Sequence, residues 1–158
     1  MKTLLFRMLL VVLSISLMSS TCSSDDDDII DNSQEIAAVK NTAEDGTWRI
    51  TSFVDSGQDE TNDFNDYNFT FASDGTLTAT NGSNTVTGTW SVTDDSNSSS
   101  SSSSDDIDFN IAFPVPATSV FEDLNDDWDI VSYSAAKISL IDISGGNGGT
   151  DTLVFEKN

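Results

Sequence analysis

The chain has 158 residues, a length that fits one domain, and it carries 6 Lys plus Arg against 27 Asp plus Glu, with no His and one Cys. Without His there is no Ser-His-Asp or Cys-His relay, no imidazole base and no His-containing zinc site, and one Cys cannot close an internal disulfide. A net charge of −21 opposes any groove that tracks phosphates, so nucleic acid is not an expected partner.

The first elements concern export. Lys2 and Arg7 flank the start of an apolar run, Met8 to Met18. That run is shorter than the roughly 20 residues a helix needs to cross hydrocarbon. With the small residues Ser19-Ser20-Thr21 behind it, the pattern is that of an export signal over residues 1–21. Its removal takes away two basic residues and no acid, so the net charge moves from −21 to −23. Such a chain is repelled by anionic lipid heads as well as by nucleic acid. The only cysteine, Cys22, comes next, followed by Ser23, Ser24, Asp25, Asp26, Asp27 and Asp28. A lone Cys is most often a small buried hydrophobe. Its place at the end of a signal core favours lipid attachment instead.

Small residues ending in Cys22 and followed by that acidic run resemble the processing and export signal of Bacteroidota-type surface lipoproteins. The resemblance implies cleavage before Cys22, a diacylglycerol thioether and an N-acyl chain on it, and display on the outer face of the outer membrane. Ser19 and Thr21 stand where Leu and Gly or Ala are usual. One acyl chain binds marginally, at about 0.8 kcal/mol per buried methylene, so three chains make the anchor firm.

Residues 22–32 are polar and acidic and read as a tether, with the folded domain running from Ser33 to Asn158. Asn32 with Glu35 three residues on resembles a helix start, and Ile36, Val39 and Ala43 share a face. A short helix over Ser33 to Thr42 is expected, stable only if docked. From Gly46 the period switches to two. Trp48 to Val54, Tyr67 to Ala72, Thr76 to Thr80 and Thr85 to Val92 alternate apolar and polar residues, as do Ile107 to Phe113, Trp128 to Tyr133, Ile138 to Ile143 and Thr152 to Glu156. Asp74-Gly75 and Asn81-Gly82 supply turns between the second, third and fourth runs. Asp55 to Asp66 reads as a polar loop, Asp94 to Asp106 as a serine-rich loop, Val120 to Leu124 as one helical turn, and 144–150 as a glycine-rich hairpin loop. Eight strands at this spacing predict an all-β fold, a barrel or a sandwich, with a short N-terminal helix.

Gly46-Thr47-Trp48, Gly88-Thr89-Trp90 and the closing strand Asp151 to Lys157 together look like the bacterial lipocalin-like lipoproteins, over about Gly46 to Asn158. The resemblance implies an eight-stranded antiparallel up-and-down barrel, with Trp48 packed across its closed end and covered by Lys157. Lys157 takes a role usually held by Arg, and Ser134-Ala135-Ala136 replaces the usual Thr-Asp-Tyr turn.

Candidate chemistry is sparse. Trp48, Tyr67, Phe69, Phe71, Trp90 and Phe109 are expected to point inward, either lining a pocket for a small apolar or amphiphilic ligand or filling an ordinary core. An eight-stranded barrel is wide enough for either. Asp123-x-Asn125-x-Asp127-x-Asp129 spaces oxygen donors like the start of a calcium loop, but Trp128 replaces the required Gly and Ser134 the bidentate Glu. Solvated loop charge fits it and the acidic stretch 59–66 better, so no metal or other cofactor is expected. With 27 acids, chance carboxylate pairs abound and none is marked for glycoside cleavage, so no enzyme activity is expected. Asp151-Thr152-Leu153 resembles an O-glycosylation site of Bacteroidota-type exported proteins. Two functions stay open. One is non-catalytic binding of a small ligand inside a lipocalin-like barrel. The other is a packed barrel whose loops Asp55 to Asp66 and Asp94 to Asp106 meet a glycan or protein partner at the cell surface. The expected location is the outer membrane, through acylated Cys22.

Overall fold

A computed structural model describes residues 32–94, 107–143 and 149–158. The export signal, Cys22, the acidic run after it, the serine tract and most of the glycine-rich loop lie outside the described residues. The elements are α1 (Ser33–Glu44), β1 (Trp48–Asp55), β2 (Gln58–Asp59), a 3-10 turn (Thr61–Phe64), β3 (Asn68–Phe71), β4 (Thr76–Thr80), β5 (Thr85–Asp94), β6 (Ile107–Ala112), β7 (Asp126–Ser134), β8 (Lys137–Asp142) and β9 (Asp151–Lys157). β1 pairs antiparallel with β2 and with β3, each strand from β3 to β9 pairs antiparallel with the next, and β1 also pairs with β9, from Trp48↔Lys157 to Val54↔Thr152. The sheet therefore closes on itself as an eight-stranded up-and-down barrel, with the two-residue β2 as a hairpin appendage on β1. Among the described residues no helix is long and apolar enough to cross a membrane.

Period-2 alternation explains the strands. Phe69 and Phe71 on β3, Leu77 and Ala79 on β4, Trp90 and Val92 on β5, and Ile107, Phe109 and Ile111 on β6 are all buried. Their described neighbours in the chain, polar apart from Ala72 and Ala112, are exposed or half-buried. Both turn signals are used. Gly75 takes φ +85° and its N–H donates to the Ala72 carbonyl, while its own carbonyl accepts from the Trp90 N–H. The Asn81 side-chain oxygen accepts from the backbone N–H groups of Ser83 and Asn84, closing a four-residue loop between Thr80 and Thr85.

Gly88 serves a different purpose. A Cβ there would lie 2.4 Å from the Ala112 carbonyl oxygen and 2.7 Å from the Phe113 ring. Backbone cannot yield as a flexible side chain can, so β5 must carry glycine where β6 passes. Gly88→Ala is expected to destabilise the barrel by about 1–3 kcal/mol, the usual cost of overpacking. Urea unfolding checks this, and an unchanged midpoint would contradict the close approach.

Four expectations need correction. Helix α1 runs two residues beyond Thr42, to Glu44, because Val39 and Ala43 bury against the barrel. Asn32 gives α1 no side-chain cap, since its backbone is already near helical and its carbonyl accepts the first helical bond, from the Ile36 N–H. Val120 to Leu124 forms no helical turn; it belongs to a run of reverse turns in which Ser119, Glu122 and Asn125 donate to Pro116, Ser119 and Glu122. The Ser119 hydroxyl competes for the Phe121 N–H, the local bonding that draws serine out of helices. The segment Asp55 to Asp66 is more than a polar loop, holding β2 and the 3-10 turn.

Each tryptophan fastens a connection to the barrel. The indole N–H of Trp48 donates to Ala43 at the end of α1 (2.8 Å), that of Trp90 to Ala72 at the β3–β4 turn (2.9 Å), and that of Trp128 to Leu124 ahead of β7 (3.2 Å). A buried indole needs such a partner, and here each bond also closes a loop.

A filled interior and an open seam

The six aromatic residues expected to line the interior part company. Phe71 stands at the centre, its ring edge-on at 5.2 Å from Trp90, 5.4 Å from Phe109 and 5.4 Å from Phe155. Trp90 and Phe109 stack at 5.6 Å, and Phe69 joins through Phe155 at 5.4 Å. Those separations are the contact distances of packed aromatic pairs. Trp48 and Tyr67 lie elsewhere. Trp48 is 0% exposed at the end of the barrel covered by α1. The Lys157 ammonium sits 5.9 Å from its ring centroid and is held by Asp45 at 2.6 Å. Tyr67 precedes β3 and is only half-buried, its ring 5.1 Å edge-on from Phe121.

The end opposite α1 is covered by two rings that the sequence reading did not single out. Phe64, from the 3-10 turn, reaches Phe53 at 5.6 Å and Phe69 at 6.4 Å. Phe121, from the β6–β7 connection, meets Phe64 at 5.5 Å and Phe113 at 5.1 Å. Each was signalled by being one aromatic within a polar, acidic stretch, Asn62-Asp63-Phe64-Asn65-Asp66 and Phe121-Glu122-Asp123. Such a ring is costly to leave in water, and it pulls its loop onto the core.

The residues of the calcium-like spacing do other work. The Asn125 amide accepts from the Phe113 N–H and donates back to the Phe113 carbonyl, bracing the β6–β7 connection. Among the described residues no cluster of three or more acidic or Cys side chains is placed to hold a metal. Thr152, in the glycosylation-like triplet, is half-buried in β9 between Val54 and Ile141.

Like charges do crowd one end. Burial pushes the Asp126 carboxyl up to about 6, helped by a hydrogen bond shared with Asp127 and by the charges of Asp142 and Asp127. Burial and the neighbouring Asp55 and Asp63 also raise Glu60 and Asp123. A carboxyl with a raised folded-state pKa binds its proton more tightly when folded. Its ionisation therefore opposes folding above about pH 6 and has no effect below about pH 4. Much of Asp126 faces solvent, which screens the effect to a modest size. Asp126→Asn is expected to melt higher than the parent at pH 7, with the gap closing as pH falls from 6 to 4. Thermal melts across that range check it; a gap that widens at low pH would contradict it.

Among the described residues the barrel opens at the seam between β1 and β3. β1 and β3 share a single pairing, Trp48↔Phe69, after which β1 follows β9 and leaves β3 behind. A groove of about 310 Å³ occupies the gap, with Arg49, Asn65, Asp66, Tyr67, Asn68 and Asn158 among its walls. Arg49 is 3.6 Å from Glu156. The Asn158 amide donates to Asn68 (2.7 Å) and Thr47 (3.2 Å), stitching the seam where the chain ends. Asp66 holds a left-handed backbone, φ +69°, unusual for a residue with a side chain.

No family model matches the chain, and no curated protein does either. Among solved structures it is similar to the crystal structure of a DUF4847 family protein from Bacteroides vulgatus, with a TM-score of 0.46 and 19% identity, covering 76% of this chain and 97% of that one.

Of the expected interior set, then, Phe69, Phe71, Trp90 and Phe109 come together, Trp48 goes to one end, and Tyr67 goes to the seam. Arg49 and Asn158 carried no warning in the sequence. Arg49 is an outward position on an ordinary alternating strand, and Asn158 acts only through the closure of β9 on β1.

Proposed function

We propose that this protein is a non-catalytic binding module displayed on a lipid anchor, a barrel with a filled interior that meets its partner through its outer surface. The observation that carries this reading is the ring cluster around Phe71. A carrier of small ligands needs a lined void of about 300 Å³ or more. Here mutually touching rings occupy the middle of the barrel, and Phe64 and Phe121 lie over the mouth. Carriage of a small apolar or amphiphilic ligand would require that cluster to open. Display at the outer membrane rests on Cys22 and the run Ser23 to Asp28, with residues 22–32 as the spacer between bilayer and barrel.

The full chain, extracted from membranes in mild detergent and analysed by mass spectrometry, tests the reading. Acyl groups bonded to Cys22 and only trace non-covalent lipid are expected. Near-stoichiometric lipid that survives detergent exchange would overturn the filled-barrel reading. Cys22→Ala is expected to lose both palmitate label and membrane association; a variant that keeps both would overturn the anchor.

A further inference from the structure

We propose that the seam groove between β1 and β3 binds an uncharged polyhydroxylated ligand, one unit of a neutral glycan. This rests on the reading above, in which the outer surface makes the contacts. Size comes first. A groove of about 310 Å³ lies at the small end of ligand sites, room for a sugar unit.

The chemistry of the walls decides the class. The groove has one cation, Arg49, and Glu156 stands 3.6 Å from it, with Asp66 also in the wall. Its charge is thus already balanced, and the net −21 of the chain repels an anion in any case. What the groove offers is hydrogen bonding. Asn158 spends its amide N–H donors on Asn68 and Thr47. Among the described residues that leaves the Asn158 side-chain oxygen, the Asn68 amide nitrogen and the Tyr67 hydroxyl without a protein partner. Acceptor, donor and a group that is both line one groove. A hydroxyl both donates and accepts, so neighbouring sugar hydroxyls match such a set where a carboxylate or an ammonium cannot. Tyr67 is held ready, because Phe121 packs edge-on against its ring.

The surroundings point the same way. From the groove the sheet continues outward over Asn68 and Thr70 on β3, Thr78 and Thr80 on β4, and Thr85 and Thr87 on β5, which lie opposite one another in register. In so acidic a chain these positions carry no charge. A glycan leaving the groove in this direction crosses hydroxyls and amides.

Titrating the full chain in detergent micelles with maltohexaose, cellohexaose and mannohexaose, and separately with oligogalacturonate, tests the site by 15N–1H correlation spectra. At least one neutral probe is expected to shift Arg49, Asn65 to Asn68 and Asn158 with millimolar affinity, and oligogalacturonate is expected to leave them unmoved. Tyr67→Phe keeps the ring on Phe121 and removes the hydroxyl. It is expected to weaken binding about tenfold, the loss of one hydrogen bond, at an unchanged melting temperature. No groove shift with any neutral probe, or a stronger response to oligogalacturonate, would overturn the site and leave the filled barrel standing. Large shifts at Phe71 and Phe109 would overturn the filled barrel itself.

Discussion

Phe71→Ala is expected to destabilise the domain by about 3–5 kcal/mol, the range for emptying a buried aromatic site. The ring is 1% exposed and touches Trp90, Phe109 and Phe155, which come from three other strands. Removing it leaves a hole that none of those strands can fill without breaking its own ladder, because the barrel is closed. Domains of this size are stable by about 5–15 kcal/mol, so the loss is a large share of the total. Phe71→Leu retains most of the volume and serves as the conservative control, with a much smaller cost. Urea unfolding followed by circular dichroism measures both. If Phe71 lined a cavity, alanine would merely enlarge it, and a loss below about 1 kcal/mol would count against the filled interior.

Trp48→Ala is expected to cost a similar amount, about 3–5 kcal/mol, and to loosen a distinct region. The indole is fully buried, donates to the Ala43 carbonyl at the last turn of α1, and lies beneath Lys157. Three things go at once: a core side chain, the bond that fixes α1, and the surface that Lys157 covers. Helix α1 is 12 residues long, too short to persist without docking. Hydrogen exchange should therefore show Ser33–Glu44 losing protection in the variant before the strands do. Trp48→Phe keeps most of the apolar surface and loses the indole N–H, so its cost should fall between the two. Equal protection of α1 and the strands in Trp48→Ala would mean that α1 does not depend on this residue.

The fold was largely legible because a barrel with one buried face writes its strands as alternation. Tyr67-Asn68-Phe69-Thr70-Phe71 and Thr85 to Val92 can place their apolar residues inward only as strands. Closure was not legible in that way. β1 and β9 lie about a hundred residues apart, and their pairing follows from the whole sheet curling, so only the resemblance of Gly46-Thr47-Trp48 and Lys157 to a known barrel end anticipated it. Alternation also says which residues face in without saying what shares the space. Phe64 and Phe121 come from connections and fill the end of the barrel for reasons that exist only in three dimensions. The seam groove was hidden for the same reason. Arg49, Tyr67 and Asn158 are far apart in sequence, and a missed pairing between β1 and β3 brings them to one place.

A high-resolution crystal structure of the full chain, inspected for what fills the barrel, distinguishes a packed interior from a ligand cavity. The rings of Phe71, Trp90, Phe109 and Phe155 are expected to touch at separations of 5.2–5.6 Å, with no void among them larger than about a water molecule. Continuous density of an acyl chain or other ligand between Phe71 and Phe109, with Phe64 and Phe121 swung away from the mouth, would contradict it.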